Sequence, residues 1–166
     1  MPVLYLLRHG VAEDASAAVA DEQRELTDEG RRKTTEAAAG LRALGVAPEV
    51  ILTSPLVRAR QTAELTAQVL EVRTVETYPP LAPAGGAEAV VRQLKGYSGA
   101  EVMLVGHQPD LGELASYLLT GSQGLVPLPF KKGAVAAIEV GSIPPRVEGE
   151  LLWFISNKQL RHIRES

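Results

Sequence analysis

Val3-Leu4-Tyr5-Leu6-Leu7-Arg8-His9-Gly10 decides the fold: five apolar residues in succession stop abruptly at an arginine, a histidine and a glycine. Such a run lacks the alternation of a half-wet sheet. It reads as a strand buried on both faces, which is what a parallel sheet covered by helices requires. The same punctuation recurs twice. Val50-Ile51-Leu52-Thr53 ends at Ser54-Pro55, and Val102-Met103-Leu104-Val105 ends at Gly106-His107. Between these runs the apolar period becomes helical. Thr27 is placed to cap a helix whose stripe includes Ala37, Leu41 and Leu44 and whose stop is Gly45. Ser54 is expected to cap the next helix, with Pro55 in its first turn and its end near Leu70. Leu111, Leu114, Ala115, Leu118 and Leu119 follow helical spacing between Pro109 and Gly121. Residues 134–140 and 151–155 read as two more strands around a turn-rich segment, either as an edge hairpin or in central positions. The expectation is an α/β fold. It is a three-layer sandwich with a mainly parallel sheet of about six strands, flanked by helices on both faces. The Pro- and Gly-rich piece at 78–86 reads as a functional surface loop.

A chain of 166 residues fits a single domain spanning 1–166. With 45% hydrophobic and 22% charged residues, disorder and fibre are excluded. Seventeen basic against twenty acidic side chains give a net charge of -3. That argues against a broad surface for nucleic acid or anionic membrane, while leaving room for a local basic pocket. The absence of cysteine excludes a disulfide scaffold, thiol chemistry and thiolate zinc sites. The first residues do not read as a signal peptide and no apolar segment is long enough for a membrane span, so cytoplasm is the expected compartment.

Of three histidines, His9 and His107 each follow directly on an expected central strand. Ligands of open parallel sheets bind outside the carboxyl ends of the strands. The strand ends therefore deliver Arg8, His9, His107 and the start of the Ser54 helix to one edge. Arg58, in that helix's first turn, opposes the helix dipole unless an anion bridges guanidinium and helix end. Two guanidiniums, two imidazoles and a helix N-terminus make a socket suited to phosphate. Singly, each residue has a plainer reading: a packed or solvent-facing histidine (the reading given to His162), a solvated arginine, or turn glycines at Gly10 and Gly106. Their coincidence is what favours the socket. Glu13-Asp14 and Asp21-Glu22 read as solvated loop charges. No metal-binding or nucleotide-loop motif and no G-x-S-x-G elbow is present, so neither metal nor other cofactor is expected.

These residues resemble the histidine phosphatase (phosphoglycerate mutase-like) superfamily. The match rests on Leu7-Arg8-His9-Gly10, on Ser54-Pro55-Leu56-Val57-Arg58-Ala59-Arg60-Gln61-Thr62, and on Gly106-His107, in that order. The short length, Arg24-Glu25-Leu26-Thr27-Asp28-Glu29-Gly30, Leu81-Ala82-Pro83 and Leu152-Trp153 narrow it to the SixA-type phosphohistidine phosphatases. The resemblance implies that His9 is the nucleophile and carries the phosphoryl group, with Arg8, Arg58, His107 and Gly10 around the phosphate. It adds Arg24 as a further phosphate or substrate contact. His9 must be neutral at its reacting nitrogen while a carbonyl near Gly10 holds the other, and His107 works best protonated, a form that the flanking anion favours.

One departure from many superfamily members bears on the substrate. They usually carry a carboxylic acid for the leaving group, either just after the second histidine or in the loop after the third strand. Here Gln108 follows His107, and Leu81-Ala82-Pro83-Ala84-Gly85-Gly86 contains no acid. Glu88 is the nearest carboxylate and reads as dipole compensation. SixA-type members lack that acid too, and phosphohistidine needs it least. The expected substrate is phosphohistidine on a protein such as a histidine phosphotransfer domain. The alternatives are a low-specificity phosphatase of small phosphorylated substrates, using Glu88 or a loop carboxylate, and a non-catalytic phosphate- or phosphoprotein-binding module.

Overall fold

The computed structural model describes residues 1–163, so the last three positions of the expected 1–166 domain lie outside the described residues. Six strands build one sheet: β1 (Val3–Arg8), β2 (Val50–Thr53), β3 (Val75–Thr77), β4 (Val102–Gly106), β5 (Val135–Glu139) and β6 (Glu150–Ile155). Their order is β3-β2-β4-β1-β5-β6. The first four are mutually parallel, and β5 and β6 continue antiparallel from β1. The two late strands thus form a hairpin at one edge, which resolves the alternative the sequence left open. The opposite edge, β3, is short and only half-covered, so no apolar run announced it.

Alternation along the buried strands feeds two cores. Leu4, Leu6, Leu52 and Leu104 face α3 (Ala87–Gln93) and α4 (Asp110–Thr120), meeting Val90, Leu111 and Leu114. Val3, Tyr5, Leu7, Ile51 and Met103 face α1 (Asp28–Ala43), α2 (Val57–Leu70) and α5 (Asn157–His162), meeting Ala37, Leu41, Ala63 and Leu160. The result is the expected three-layer sandwich.

The caps explain the helix ends. Thr27 accepts a hydrogen bond from Gly30 N at 2.9 Å, as its position predicted. After α1 the chain turns at Gly45, whose φ of 81° falls where a side chain is disfavoured. Gly40 admits the carbonyl of Leu160 into the space a Cβ would take, which lets α5 lie against α1. The start of α2 departs from expectation: the cap is Leu56, not Ser54. Ser54 N still donates to Val105 O at 2.9 Å, so the sheet ladder holds Ser54, and two more residues are needed to turn into the helix. The 78–86 segment also differs in part. Tyr78 and Leu81 are buried in the α3/α4 core, and only Pro79 and residues 83–86 are exposed as a surface loop should be. Among the described residues no helix is long and apolar enough to cross a membrane.

Candidate active site

Three segments reach the carboxyl edge of the sheet in register. Arg8 lies opposite Gly106 in the β1–β4 ladder, and His9 N donates to Gly106 O at 3.1 Å. With the Ser54–Val105 bond, the ladder extends past the strands and carries His9, His107 and Ser54 side by side. The two imidazoles have ring centroids 5.2 Å apart and planes inclined at 54°. His9, Arg58 and His107 are only 6%, 6% and 5% exposed, comparable with the apolar core around them.

His9 Nδ1–H donates to Gly10 O at 2.7 Å, which leaves the lone pair on Nε2. Burial first, then the neighbouring charges of His107, Arg58 and Arg8, push its pKa down to about 3, against the opposing pull of the Gly10 bond. His9 is therefore neutral at neutral pH. Gly10 is turned inward: its N–H donates to Thr62 Oγ1 at 3.1 Å, and Thr62 Oγ1 donates to Arg58 O at 2.8 Å. Both polar groups of Gly10 are thus spent on holding the His9 ring and the start of α2, not offered to a phosphate.

His107 Nε2 lies 2.7 Å from Ser54 Oγ. Burial, then Arg58 and Arg8, push His107 down to about 4, with Asp21 opposing. Without an anion the site therefore favours neutral His107, because burial and two guanidiniums outweigh the Asp21 carboxylate. A phosphate dianion would act in the sense Asp21 already does.

Arg8 Nη1 donates to Phe130 O at 2.8 Å, and burial together with Arg58 lowers the Arg8 pKa. The group remains cationic. Arg58 Nη1 donates to Asp21 O at 2.8 Å, and its Nη2 lies 3.3 Å from Asp21 Oδ2. Among the described residues, three buried side-chain nitrogens or oxygens lack a partner: Arg8 Nε, Arg58 Nε and His107 Nδ1. All three belong to this one cluster.

Arg24 joins the cluster at one remove. Its Nε donates to Asp21 Oδ1 at 2.9 Å and its Nη1 to Glu13 O at 2.7 Å. Asp21 is thus no free solvated charge. It sits in a 3-10 turn (Asp21–Gln23) and bridges two guanidiniums, and the Arg24 bond above all holds its carboxyl below the usual carboxylate range. On the side of His107, Gln108 is a structural amide whose Oε1 accepts from Gly112 N at 3.0 Å. Asp110 Oδ2 accepts from Ala84 N at 2.7 Å, tying the 82–86 loop to α4. Glu88 is exposed in the first turn of α3, and His162 is exposed on α5. Among the described residues no three His, Asp or Glu side chains are grouped to hold a metal ion. Ser54 and Thr62 were present in the quoted S-P-x-x-R-A-x-x-T segment, so the signal for their roles was there. Asp21 and Asp110 carried none.

A sheet edge that gathers a carbonyl-held imidazole, a second imidazole and two guanidiniums defines a phosphate-handling α/β protein. The model of the histidine phosphatase superfamily, branch 1, matches residues 4–82. A phosphohistidine phosphatase SixA from Escherichia coli is 31% identical over 139 residues, 81% of this chain and 83% of that one. The chain belongs to the histidine phosphatase superfamily, and within it to the SixA type. An uncharacterised protein from Picosynechococcus sp. is 38% identical over 162 residues, covering 95% and 98% of the two chains. A solved structure of the protein histidine phosphatase SixA complexed with tungstate superposes with a TM-score of 0.83 at 28% identity, over 95% of this chain and 99% of that one.

Proposed function

We propose that the chain is a metal-independent, cytoplasmic phosphatase, one domain over 1–166, that removes the phosphoryl group from phosphohistidine on a protein. The observation that carries this reading is the set of three buried nitrogens without partners, Arg8 Nε, Arg58 Nε and His107 Nδ1, around a neutral His9. Buried donors left unpaired are costly, and a tetrahedral oxyanion among them satisfies all three at once. Tungstate in the SixA relative is an anion of that shape.

In the proposed reaction, His9 Nε2 attacks phosphorus in line with the departing group. A new N–P bond forms on His9 as the P–N bond of the substrate breaks, and the leaving imidazole takes its proton from solvent. Arg8, Arg58 and His107 hold the three equatorial oxygens, where charge develops. Water then attacks the phosphorylated His9, releasing phosphate and restoring the neutral ring. The Gly10 carbonyl keeps the proton on Nδ1 throughout, so the lone pair faces phosphorus.

The leaving group decides between substrates. An alkoxide needs a proton as it departs, and lack of a donor costs about 10²–10⁴-fold. Asp21, the carboxylate hydrogen-bonded to Arg58, is held ionised by Arg24 and Arg58, unfit to give that proton at neutral pH. Phosphohistidine needs no acid on the enzyme, because its ring takes that proton from solvent. A histidine phosphotransfer domain is the class of partner this implies. Turnover of phosphohistidine and of a sugar phosphate should be compared under the same conditions. We expect the phosphoramidate to be cleaved faster by about 100-fold or more; faster cleavage of the sugar phosphate would contradict the assignment.

A further inference from the structure

The segment from Phe130 to Gly133 is fastened to the catalytic edge at both ends. Phe130 O accepts from Arg8 Nη1 at 2.8 Å, and Gly133 N donates to Arg8 O and to His9 O, each at 3.1 Å. Lys131 and Lys132 stand between these fastenings, both exposed. They line a groove of about 380 Å³ together with Lys33, Lys158, Arg161 and Gly10, the residue that follows the proposed nucleophile in the chain. Lys33 has a partner in Glu29 at 2.6 Å, and Arg161 Nη1 lies 3.8 Å from Glu36 Oε2. Among the described residues, Lys131, Lys132 and Lys158 enter no ion pair. Such a concentration of cations is unexpected in a chain of net charge -3.

The form of the groove points to its occupant. A site for one small dianion needs dry, convergent donors, as Arg8, Arg58 and His107 provide. Exposed lysines on flexible stems, each a mobile point charge, suit a spread of carboxylates on a larger surface. Resting on the phosphohistidine reading above, we infer that this groove docks Asp- and Glu-rich protein surface flanking the phosphorylated histidine. A chain that inserts its phosphoryl group at His9 then lays its neighbouring residues along Lys131 and Lys132. The contribution is electrostatic and surface-exposed, so it favours encounter and orientation and fades as salt is raised.

The test uses two synthetic phosphohistidine peptides, one flanked by glutamates and one by serines, and reads the ratio of their kcat/KM values. At low ionic strength the unsubstituted protein should prefer the glutamate peptide by about tenfold, with the ratio approaching one at high salt. In the double substitution K131E/K132E the ratio should fall below one, and in K131Q/K132Q it should be intermediate. A ratio near one in the unsubstituted protein, or one that charge reversal leaves unmoved, would overturn the inference. Because the readout is a ratio within one protein, a general loss of activity does not mimic it. If neither peptide is hydrolysed, the phosphohistidine reading itself fails. Fluorescence anisotropy of a labelled, unphosphorylated glutamate peptide then decides the groove: weaker binding to K131E/K132E supports it, and equal binding overturns it.

Discussion

His9, His107 and Arg58 are buried like the leucines of β1, whereas Asp21, one hydrogen bond further out, is open to water and Arg24 is half-buried. The two regions share one chain of contacts, from Arg58 through Asp21 to Arg24, yet they sit in different dielectrics. Coulombic and hydrogen-bond energies are several-fold larger in the buried part. Exposed ion pairs such as Arg24–Asp21 contribute about 0–1 kcal/mol. The inner residues should therefore set the rate, and the outer ones should only tune it.

The sharpest way to break this contrast is to remove an inner guanidinium. Arg58→Ala should lower kcat/KM by about 10²–10³-fold, since it removes a donor from the developing charge. Arg58→Lys should fail to restore it, because an ammonium cannot reproduce the fork. Arg24→Ala, measured in the same assay, should stay within a few-fold of the starting protein. Equal losses at both positions would erase the distinction.

Burial of the two imidazoles has a second consequence, in stability. The ordinary histidine pKa is 6.5, and in the fold His9 and His107 lie at about 3 and about 4. Below 6.5 the unfolded chain takes up protons that the folded one refuses, so stability is lost as pH falls from 6.5 until the folded pKa values are reached. Between pH 7 and pH 5 each histidine should cost about 2 kcal/mol. Urea unfolding of His9→Asn and of His107→Asn should each show a smaller acid loss than the unsubstituted protein by about that amount. Parallel pH profiles would mean that the imidazoles titrate normally.

Two smaller effects sharpen the boundary. Ser54 touches His107 and not the phosphate, which makes it a positioning residue. Ser54→Ala should lower kcat by roughly tenfold with little change in KM, and Ser54→Thr should recover most of it, since the hydroxyl both meets His107 Nε2 and accepts from Leu56 N at 3.2 Å. Asp21→Asn should tighten inhibition by tungstate by a few-fold, because the carboxylate now competes with the anion for Arg58. Weaker inhibition would show that Asp21 chiefly holds Arg58 in place.

The same contrast describes what could be read in the sequence. Buried strands write long apolar runs, so β1, β2 and β4 and the residues at their ends were legible, and with them the pair His9 and His107. Arg58 was legible because a cation in a helix's first turn is out of place without an anion. β3 has three residues and little burial, and α5 has six, too short to display a period. Ser54 reads as a helix cap because its hydroxyl does accept from Leu56 N at 3.2 Å, just ahead of α2; what no local pattern records is that the same hydroxyl meets a histidine 53 positions away. Asp21 and the Lys131-Lys132 pair lie in loops, where hydrogen bonds over long sequence separations decide the neighbourhood and no local pattern records them.

The most direct test of the account is rapid quenching of the protein with a labelled phosphoramidate, followed by peptide mapping under alkaline conditions that preserve phosphohistidine. The expected result is one acid-labile phosphoryl group on His9, formed and lost at rates compatible with turnover and missing in His9→Ala. Hydrolysis at full rate in His9→Ala, or label found on another residue, would contradict it.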